Sequence, residues 1–458
     1  AERIDLISKK NLEIFSDRFE SFPLLDQWQN YLSANIYDVS KFKLGEVNEA
    51  ISICIDLNSE NEIVDWSFHL TKVKCSLIVE NKHLDALLTR KNNSRITSRI
   101  LKPIKEYIHD LDKILEISKE FRKNQLLNGR IEIPKPNNNI DSLNELFIHN
   151  PADFSKEYFE PLNNNDIQTY VSPLLYEANL IWFKHSNEYN LNNASYISQE
   201  LDYINVSEII NNSELIDSNI ELNENGTLTF RQLVELCSNE NKKRILHKLL
   251  INIIKENEVT LISKDSIINE FEKMYISPWT LPSFDFTNLI NQFSIYNMLI
   301  NGKRANKSNS NIINIMEKDS WEKVSWDIYN SSISKNMDLI FNKLIIDRIN
   351  EYKYKVNHCR SNIINIKQVR KAETLIGNTY SGLIMTVQSY GFFVEIPELY
   401  VEGLVHVSTL NNDWYEYRSR QNLLIGRKSK KSYRIGDIID IKIIKVDILK
   451  YQIDLELV

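Results

Sequence analysis

Between Gly382 and Ser408 apolar residues alternate with polar or small ones in short runs, and this period of two constrains the chain more than any other feature. The runs are Gly382-Leu383-Ile384, Tyr390-Gly391-Phe392-Phe393-Val394 and Val401-Glu402-Gly403-Leu404-Val405-His406-Val407-Ser408, broken by Gly and Pro. A period of two puts successive side chains on opposite faces, so these runs predict strands rather than helices. Strands this short, with turns this frequent, bury one face by closing into a small Greek-key barrel.

The upstream residues carry a different pattern. Ile51, Ile53, Ile55 and Leu57 alternate, Asn58-Ser59-Glu60-Asn61 supplies a turn, and Val64, Trp66, Phe68 and Leu70 resume the alternation, which predicts a hairpin within about 49–79. Leu101, Ile104, Ile108, Leu111, Leu115 and Phe121 follow at helical spacing, with Gly129 as the stop. A second helix carries Ile167, Val171, Leu174, Leu175, Ala178 and Ile181 on one face. Two more are predicted around Ile245–Ile254 and around Met337, Ile340, Phe341, Leu344 and Ile345. The polar stretch 200–230 reads as a long loop or insertion. The fold class is therefore α+β: a mixed α/β body, then a five-stranded barrel of the OB type. The boundary falls where the last helix gives way near Gln368, so the body spans 1–368 and the barrel 372–458.

Bulk composition sets limits on partners and compartment. With 458 residues and 42% hydrophobic content the chain can bury a large core in two or more domains. A net charge of -7 argues against coating nucleic acid by bulk charge, so any such contact must be local. Cys54, Cys75, Cys237 and Cys359 are far apart and show no C-x-x-C spacing, which points away from zinc or a disulfide framework and toward a reducing cytoplasm or organelle interior. No apolar run reaches the ~18 residues of a membrane span, and the first residues lack a signal-peptide pattern, so no membrane partner is expected. The chain begins at Ala1 without Met, as a processed or partial chain would.

On an OB-type barrel Tyr390, Phe393 and His406 come from two neighbouring strands and can point outward together, a surface on which unstacked bases lie. The competing reading of Phe393 is an ordinary core aromatic, since strand spacing alone suits both. Seven basic residues, Arg418, Arg420, Arg427, Lys428, Lys430, Lys431 and Arg434, occur between Arg418 and Arg434 with no acidic residue among them. A charge run is usually a solvated face. Beside an aromatic platform the reading favoured is a strip that follows a phosphate backbone.

These strands resemble an S1 domain, in which the two aromatics and the histidine matching Tyr390, Phe393 and His406 touch RNA. Asp413-Trp414-Tyr415-Glu416-Tyr417, Gly426-Arg427-Lys428 and Tyr433-Arg434-Ile435-Gly436-Asp437 are similar to the extended loop of the S1 domain that ends ribonuclease R and its relatives. The body then shows collinear landmarks of the ribonuclease II/R (RNB) family: Phe22-Pro23-Leu24-Leu25 with Leu32-Ser33, Leu44-Gly45-Glu46, Val171-Ser172 to Glu177-Ala178-Asn179, Tyr196-Ile197-Ser198-Gln199, and Ser277-Pro278 followed by Phe286 to Gln292. The resemblance implies a processive 3′-to-5′ hydrolytic exoribonuclease on single-stranded RNA, working as a monomer, with a partner protein left open.

The same resemblance implies Mg²⁺ held by clustered aspartates, since Mg²⁺ takes hard oxygen ligands and polarises the scissile phosphate. No catalytic or metal-binding residue is assigned in this chain. In the family the cluster lies upstream of the landmark found here at residues 22–25, so it would precede Ala1. The pairs Asp110 with Asp112 and Asp437 with Asp440 read as solvated surface. Other departures favour decay: Phe284 and Asp285 stand where the signature has two arginines, Phe286 and Asn288 where it has Tyr and Asp, Ile197 where it has Arg, and Pro173 where a helix acid is usual. An exoribonuclease whose metal site is not in this chain and a catalytically silent RNA-binding or scaffold subunit are the two expectations.

Overall fold

The hairpin of the body is built as its alternation requires. Strands β1 (Val47–Leu57) and β2 (Ile63–Lys74) pair antiparallel, with Ile51 opposite Leu70, Ile53 opposite Phe68 and Ile55 opposite Trp66. Asn58 organises the turn, its Oδ1 accepting from the backbone N–H of Glu60 and of Glu62 at 2.9 Å each, while Asn61 takes the left-handed conformation at φ 60°. The computed structural model describes Leu6, Ser8 and residues 18–23, 28–90, 98–127, 167–188, 191, 193–199, 258–262, 274–301, 331–396, 401–410 and 413–458. The predicted insertion at 200–230 and the helix predicted at 245–254 lie outside these residues, as does Gly129. Among them the chain divides into a body that runs to Lys355 and a second unit from Val356 to Val458.

The helix predicted from Leu101 onward is two elements. Leu101 caps a 3₁₀ turn, Lys102–Tyr107, that contains Ile104, and both residues are buried against Leu87 of α1 (Asn81–Leu88). The α-helix proper, α2, is Ile108–Leu127. Pro103 at the start of the 3₁₀ turn accounts for the irregular entry, because its ring has no N–H for an α-helical ladder.

Helix α3 (Ile167–Glu188) buries Tyr176, Ala178, Ile181, Trp182 and Phe183, whereas Val171, expected on its apolar face, is exposed. Its core partners are Phe68 of the hairpin, Trp279 and Ile295. Phe68 packs at 5.3 Å between centroids from Trp279 and edge-on to Trp182 at 6.1 Å. The sheet here has the order β4 (Glu258–Leu261), β3 (Ser195–Gln199), β5 (Met274–Ile276), all antiparallel. Helix α4 (Phe286–Asn301) completes the layer.

The helix predicted around Met337–Ile345 is also divided. Helix α5 (Ser331–Ile340) ends where Asn342 Nδ2 donates to the Leu339 carbonyl at 2.7 Å, and α6 (Lys343–Glu373) begins where Asn342 Oδ1 accepts from Ile345 N–H at 3.1 Å. One Asn thus stops one helix and caps the next. Leu344 falls on the solvent side and is exposed. Helix α6 runs past Gln368 to Glu373.

The second unit is the predicted five-stranded barrel, and it is closed. Its strands are β6 (Thr379–Gln388), β7 (Gly391–Ile396), β8 (Val401–His406), β12 (Ile438–Asp447) and β13 (Gln452–Leu457), in the order β8-β13-β12-β6-β7 with β7 returning to β8. Only the β8–β13 pairing is parallel. Register shifts between Ile384 and Thr386 and between Ile443 and Lys445 supply the extra twist that closure needs. Ile384, Phe392, Val394, Val401, Val405, Ile441 and Leu455 fill the interior, joined by Val369 and Ala372 from the end of α6. A small antiparallel sheet of β9 (Tyr415–Arg418), β10 (Leu423–Gly426) and β11 (Ser432–Arg434) is spliced in before β12 and packs Leu424 and Tyr433 onto the same core.

Candidate nucleic-acid interface

The pleat of β7 separates its two phenylalanines. Phe392 is fully buried and stacks on Tyr433 at 4.9 Å, while Phe393 points to the outer face, half-buried, opposite Leu404 on β8 and Thr386 on β6. The core position belongs to Phe392. Tyr390, 45% exposed in the β6–β7 turn, meets Phe393 edge to face at 6.3 Å and 88°. Gly391 between them has φ +153° and permits this: a Cβ there would lie 2.2 Å from the Val405 carbonyl oxygen.

Gly391 also faces His406 across the strand pair. His406 is exposed, and its Nδ1 accepts from the Ser408 backbone N–H at 3.2 Å, with Ser408 Oγ 2.7 Å away. An Nδ1 that accepts leaves the neutral ring's proton on Nε2. The structure therefore places the three predicted residues at one end of the β7–β8 pair. At the other end two acidic residues, Glu395 and Glu402, oppose each other.

The predicted basic residues lie on and around the β9–β11 sheet. Arg418 is exposed at the end of β9, and the side chain of Arg420 lies outside the described residues. Arg427 Nε is 3.6 Å from Glu416 Oε2 in an exposed pair. Lys428, Lys430 and Lys431 are exposed on the turn between β10 and β11, Lys430 at φ 60°, with Lys431 Nζ 5.2 Å above the Tyr433 ring. Arg434 is exposed at the end of β11, and its backbone N–H donates to Asp437 Oδ2 at 2.7 Å.

What sequence reasoning missed is the residue that shapes this turn. Asp413 precedes β9, yet its carboxylate accepts from the backbone N–H groups of Trp414 (2.7 Å), Lys428 (2.9 Å) and Ser429 (2.6 Å) and from Ser429 Oγ (2.7 Å). These bonds, the one from Ser429 first, pull its carboxyl down to about 2. Gly426 makes room for it: a Cβ there would sit 2.5 Å from Asp413 Oδ2. The signal available in the sequence was a lone Asp ahead of a glycine-led basic turn, which a count of charges between Arg418 and Arg434 passes over.

The model of the RNB domain matches residues 13–301, more than half of the chain. The chain belongs to the RNB family. The S1 RNA binding domain matches residues 375–457, which contain the barrel and all the candidate contacts above. The acetazolamide conferring resistance protein zam of Synechocystis sp. is 39% identical over 132 residues, 29% of this chain and 17% of that protein. RNase R of Mycoplasma genitalium superposes with a TM-score of 0.75 at 16% identity, covering 100% of this chain and 65% of that one, and has been solved free, with ribose-methylated single-stranded RNA and with double-stranded RNA. Yeast Ssd1, a pseudonuclease, superposes with a TM-score of 0.61 at 10% identity over 90% of this chain and 45% of its own. The chain thus spans about two thirds of one relative and a smaller part of the others. At such identities the superpositions establish the fold, which an RNase R and a pseudonuclease share.

The RNB landmarks of the body are structural where they are described. Asn291 accepts from Ser195 N–H at 2.9 Å and donates to the Ser195 and Pro278 carbonyls at 3.0 and 2.8 Å, tying α4 to β3. Asn179 accepts from Trp279 N–H at 3.0 Å. Ile197, where the family motif has Arg, is buried in the central strand β3 between Val259 and Ile276. Pro173 sits inside α3, and its carbonyl accepts from Gln125 Nε2 at 2.9 Å.

RNB nucleases are generally metal-dependent, and the described residues do not fit that requirement. Among them no group of three or more His, Cys, Asp or Glu is placed to hold a metal ion. Asp112 is paired with Arg90, Asp110 lies on exposed surface, Asp437 receives the Arg434 N–H, and Asp440 is exposed. Among the described residues, no helix is long and apolar enough to cross a membrane.

Proposed function

We propose that this RNB chain holds single-stranded RNA through its S1 barrel, with bases on Tyr390, Phe393 and His406 and phosphates along Arg418, Arg420, Arg427, Lys428, Lys430, Lys431 and Arg434. The observation that carries this reading is the edge-to-face pair of Tyr390 and Phe393 on the outside of a closed barrel whose core aromatic is Phe392. Two outward aromatic faces accept any base, and a cationic strip in the same unit accepts the backbone, which is how sequence-tolerant single-strand binders work. The proposed domains are a ribonuclease II-like body to residue 368 and an S1 domain from 372. Family resemblance supports 3′-to-5′ hydrolytic exoribonuclease activity, releasing nucleoside 5′-monophosphates with Mg²⁺ as a monomer in a reducing compartment, only if a metal site that the described residues do not supply is furnished from elsewhere. Cys54, Cys75 and Cys359, all free thiols, are consistent with that compartment.

A second reading, a catalytically silent nuclease fold that holds RNA or braces a partner, is favoured by Asp285. A buried carboxylate that caps a helix stands where the family signature has an arginine to offset phosphate charge, and an Asp cannot do that work. The test is incubation of the chain with 5′-labelled single-stranded RNA in Mg²⁺ or Mn²⁺, read on a sequencing gel beside a binding titration. Shortening from the 3′ end makes this chain an exoribonuclease; binding without shortening supports the silent reading. Absence of binding overturns the first reading and the RNA-holding form of the second, leaving only a fold that braces a partner.

A further inference from the structure

We propose that Trp414 is a second stacking site for an unpaired base, with the adjoining phosphate received by the side chains of Arg427 and Lys428. This extends the single-strand reading above and rests on it. Trp414 is 72% exposed, although a tryptophan is among the most costly side chains to leave in water. Its backbone is nonetheless fixed on both sides. The N–H donates to Asp413 Oδ1 at 2.7 Å, the carbonyl accepts from Arg427 N–H at 2.9 Å, and the next residue opens β9 opposite Gly426. An aromatic ring is thus presented to solvent from a rigid corner, directly across from the start of the basic turn.

The turn already encloses one anion, the Asp413 carboxylate, and Arg427 beside it is paired with Glu416 at 3.6 Å, so a phosphate must be met by side chains that reach outward. The N–H groups of Lys428 and Ser429 are consumed by Asp413, so the turn holds one shape and only its side chains remain to meet a ligand. Ordering these residues in advance lowers the entropic cost of binding. A flat π-face next to cations on a preset turn suits a nucleotide, whose base is planar and whose linkage is anionic. A protein partner could also cover an exposed Trp, and the experiment separates the two.

The full chain is titrated with fluorescein-labelled oligouridylate and, in parallel, photocrosslinked to an oligonucleotide carrying 5-bromouridine, with the adduct mapped by mass spectrometry. The expected result is an adduct on Trp414, an affinity loss of about tenfold in Trp414→Ala, near wild-type affinity in Trp414→Phe, and an unchanged salt slope in both, because stacking is not ionic. Gly426→Ala, whose Cβ would lie 2.5 Å from both Asp413 Oδ2 and Ser429 Oγ, should disturb the turn and lower affinity. If Trp414→Ala binds as wild type and no adduct forms on Trp414, while Tyr390→Ala with Phe393→Ala still weakens binding, the inference falls and the platform stands. If the wild-type chain itself does not bind the oligonucleotide, both fall together.

Discussion

Asp285 and Asn288 lock the start of α4: Asp285 Oδ1 accepts the Asn288 backbone N–H at 2.8 Å and Oδ2 accepts its side-chain amide at 2.6 Å. Asn288 Oδ1 in turn accepts from Leu281 N–H at 3.1 Å, so the pair joins the helix to the segment before it. Burial, and after it the Asp285 charge, hold the nearby Tyr31 phenol well above its ordinary value. Asp285→Ala removes a cap and strands buried donors, and should cost about 1–3 kcal/mol in urea denaturation. Asp285→Arg, the family-like change, should cost more. An Arg variant as stable as wild type would show that the cap is dispensable.

Tyr390 and Phe393 lie outside the barrel core, so their removal should separate binding from folding. The double change Tyr390→Ala with Phe393→Ala is expected to weaken single-stranded RNA binding by about 1–3 kcal/mol per stacked base with the melting profile of the barrel largely kept. Phe392→Ala should do the reverse, losing about 3–5 kcal/mol of stability through the cavity it leaves beside Tyr433. Calorimetry and a fluorescence titration on the two variants read both effects; equal RNA affinity in the outer-face variant removes the platform.

Where the period was strict and local, the fold was legible. The Ile51–Leu57 alternation yields a hairpin, and the Gly382–Ser408 alternation yields barrel strands whose pleat assigns Phe392 to the core and Phe393 to the surface. Helix ends were read less well because they depend on single polar atoms. Asn342 divides a stretch whose apolar spacing runs through it, and Pro103 converts the first turn of a helix to 3₁₀. At the candidate site the aromatic and basic residues were visible as residue types. Asp413 was not, since its role depends on a return of the chain by 15 residues to Lys428, which no local pattern encodes.

The basic strip predicts a salt dependence that can be assigned to individual residues. On single strands each phosphate contact contributes about 0.7 to the slope of log affinity against log salt. Lys428→Glu should therefore flatten the slope by about that amount. Arg427→Glu should flatten it less, because its guanidinium is already shared with Glu416. An unchanged slope in the double variant would reduce the strip to a solvated turn.

His185 should make the body acid-sensitive for a reason unconnected with RNA. It is buried on α3 with the Trp66 ring edge-on at 4.6 Å, and burial pushes its imidazole down to about 3. The folded chain therefore keeps it neutral while the unfolded chain protonates it below about 6.5. Unfolding takes up a proton throughout that window, so stability is full above 6.5 and is lost as pH falls toward 3. One pKa unit corresponds to ~1.36 kcal/mol, so the body should lose roughly 2 kcal/mol between pH 7.5 and pH 5 from this residue. Urea midpoints followed by tryptophan fluorescence at the two pH values measure the loss. His185→Gln is expected to begin less stable at pH 7.5 yet to lose less on acidification, and a variant whose pH dependence matches wild type would show that other groups set it.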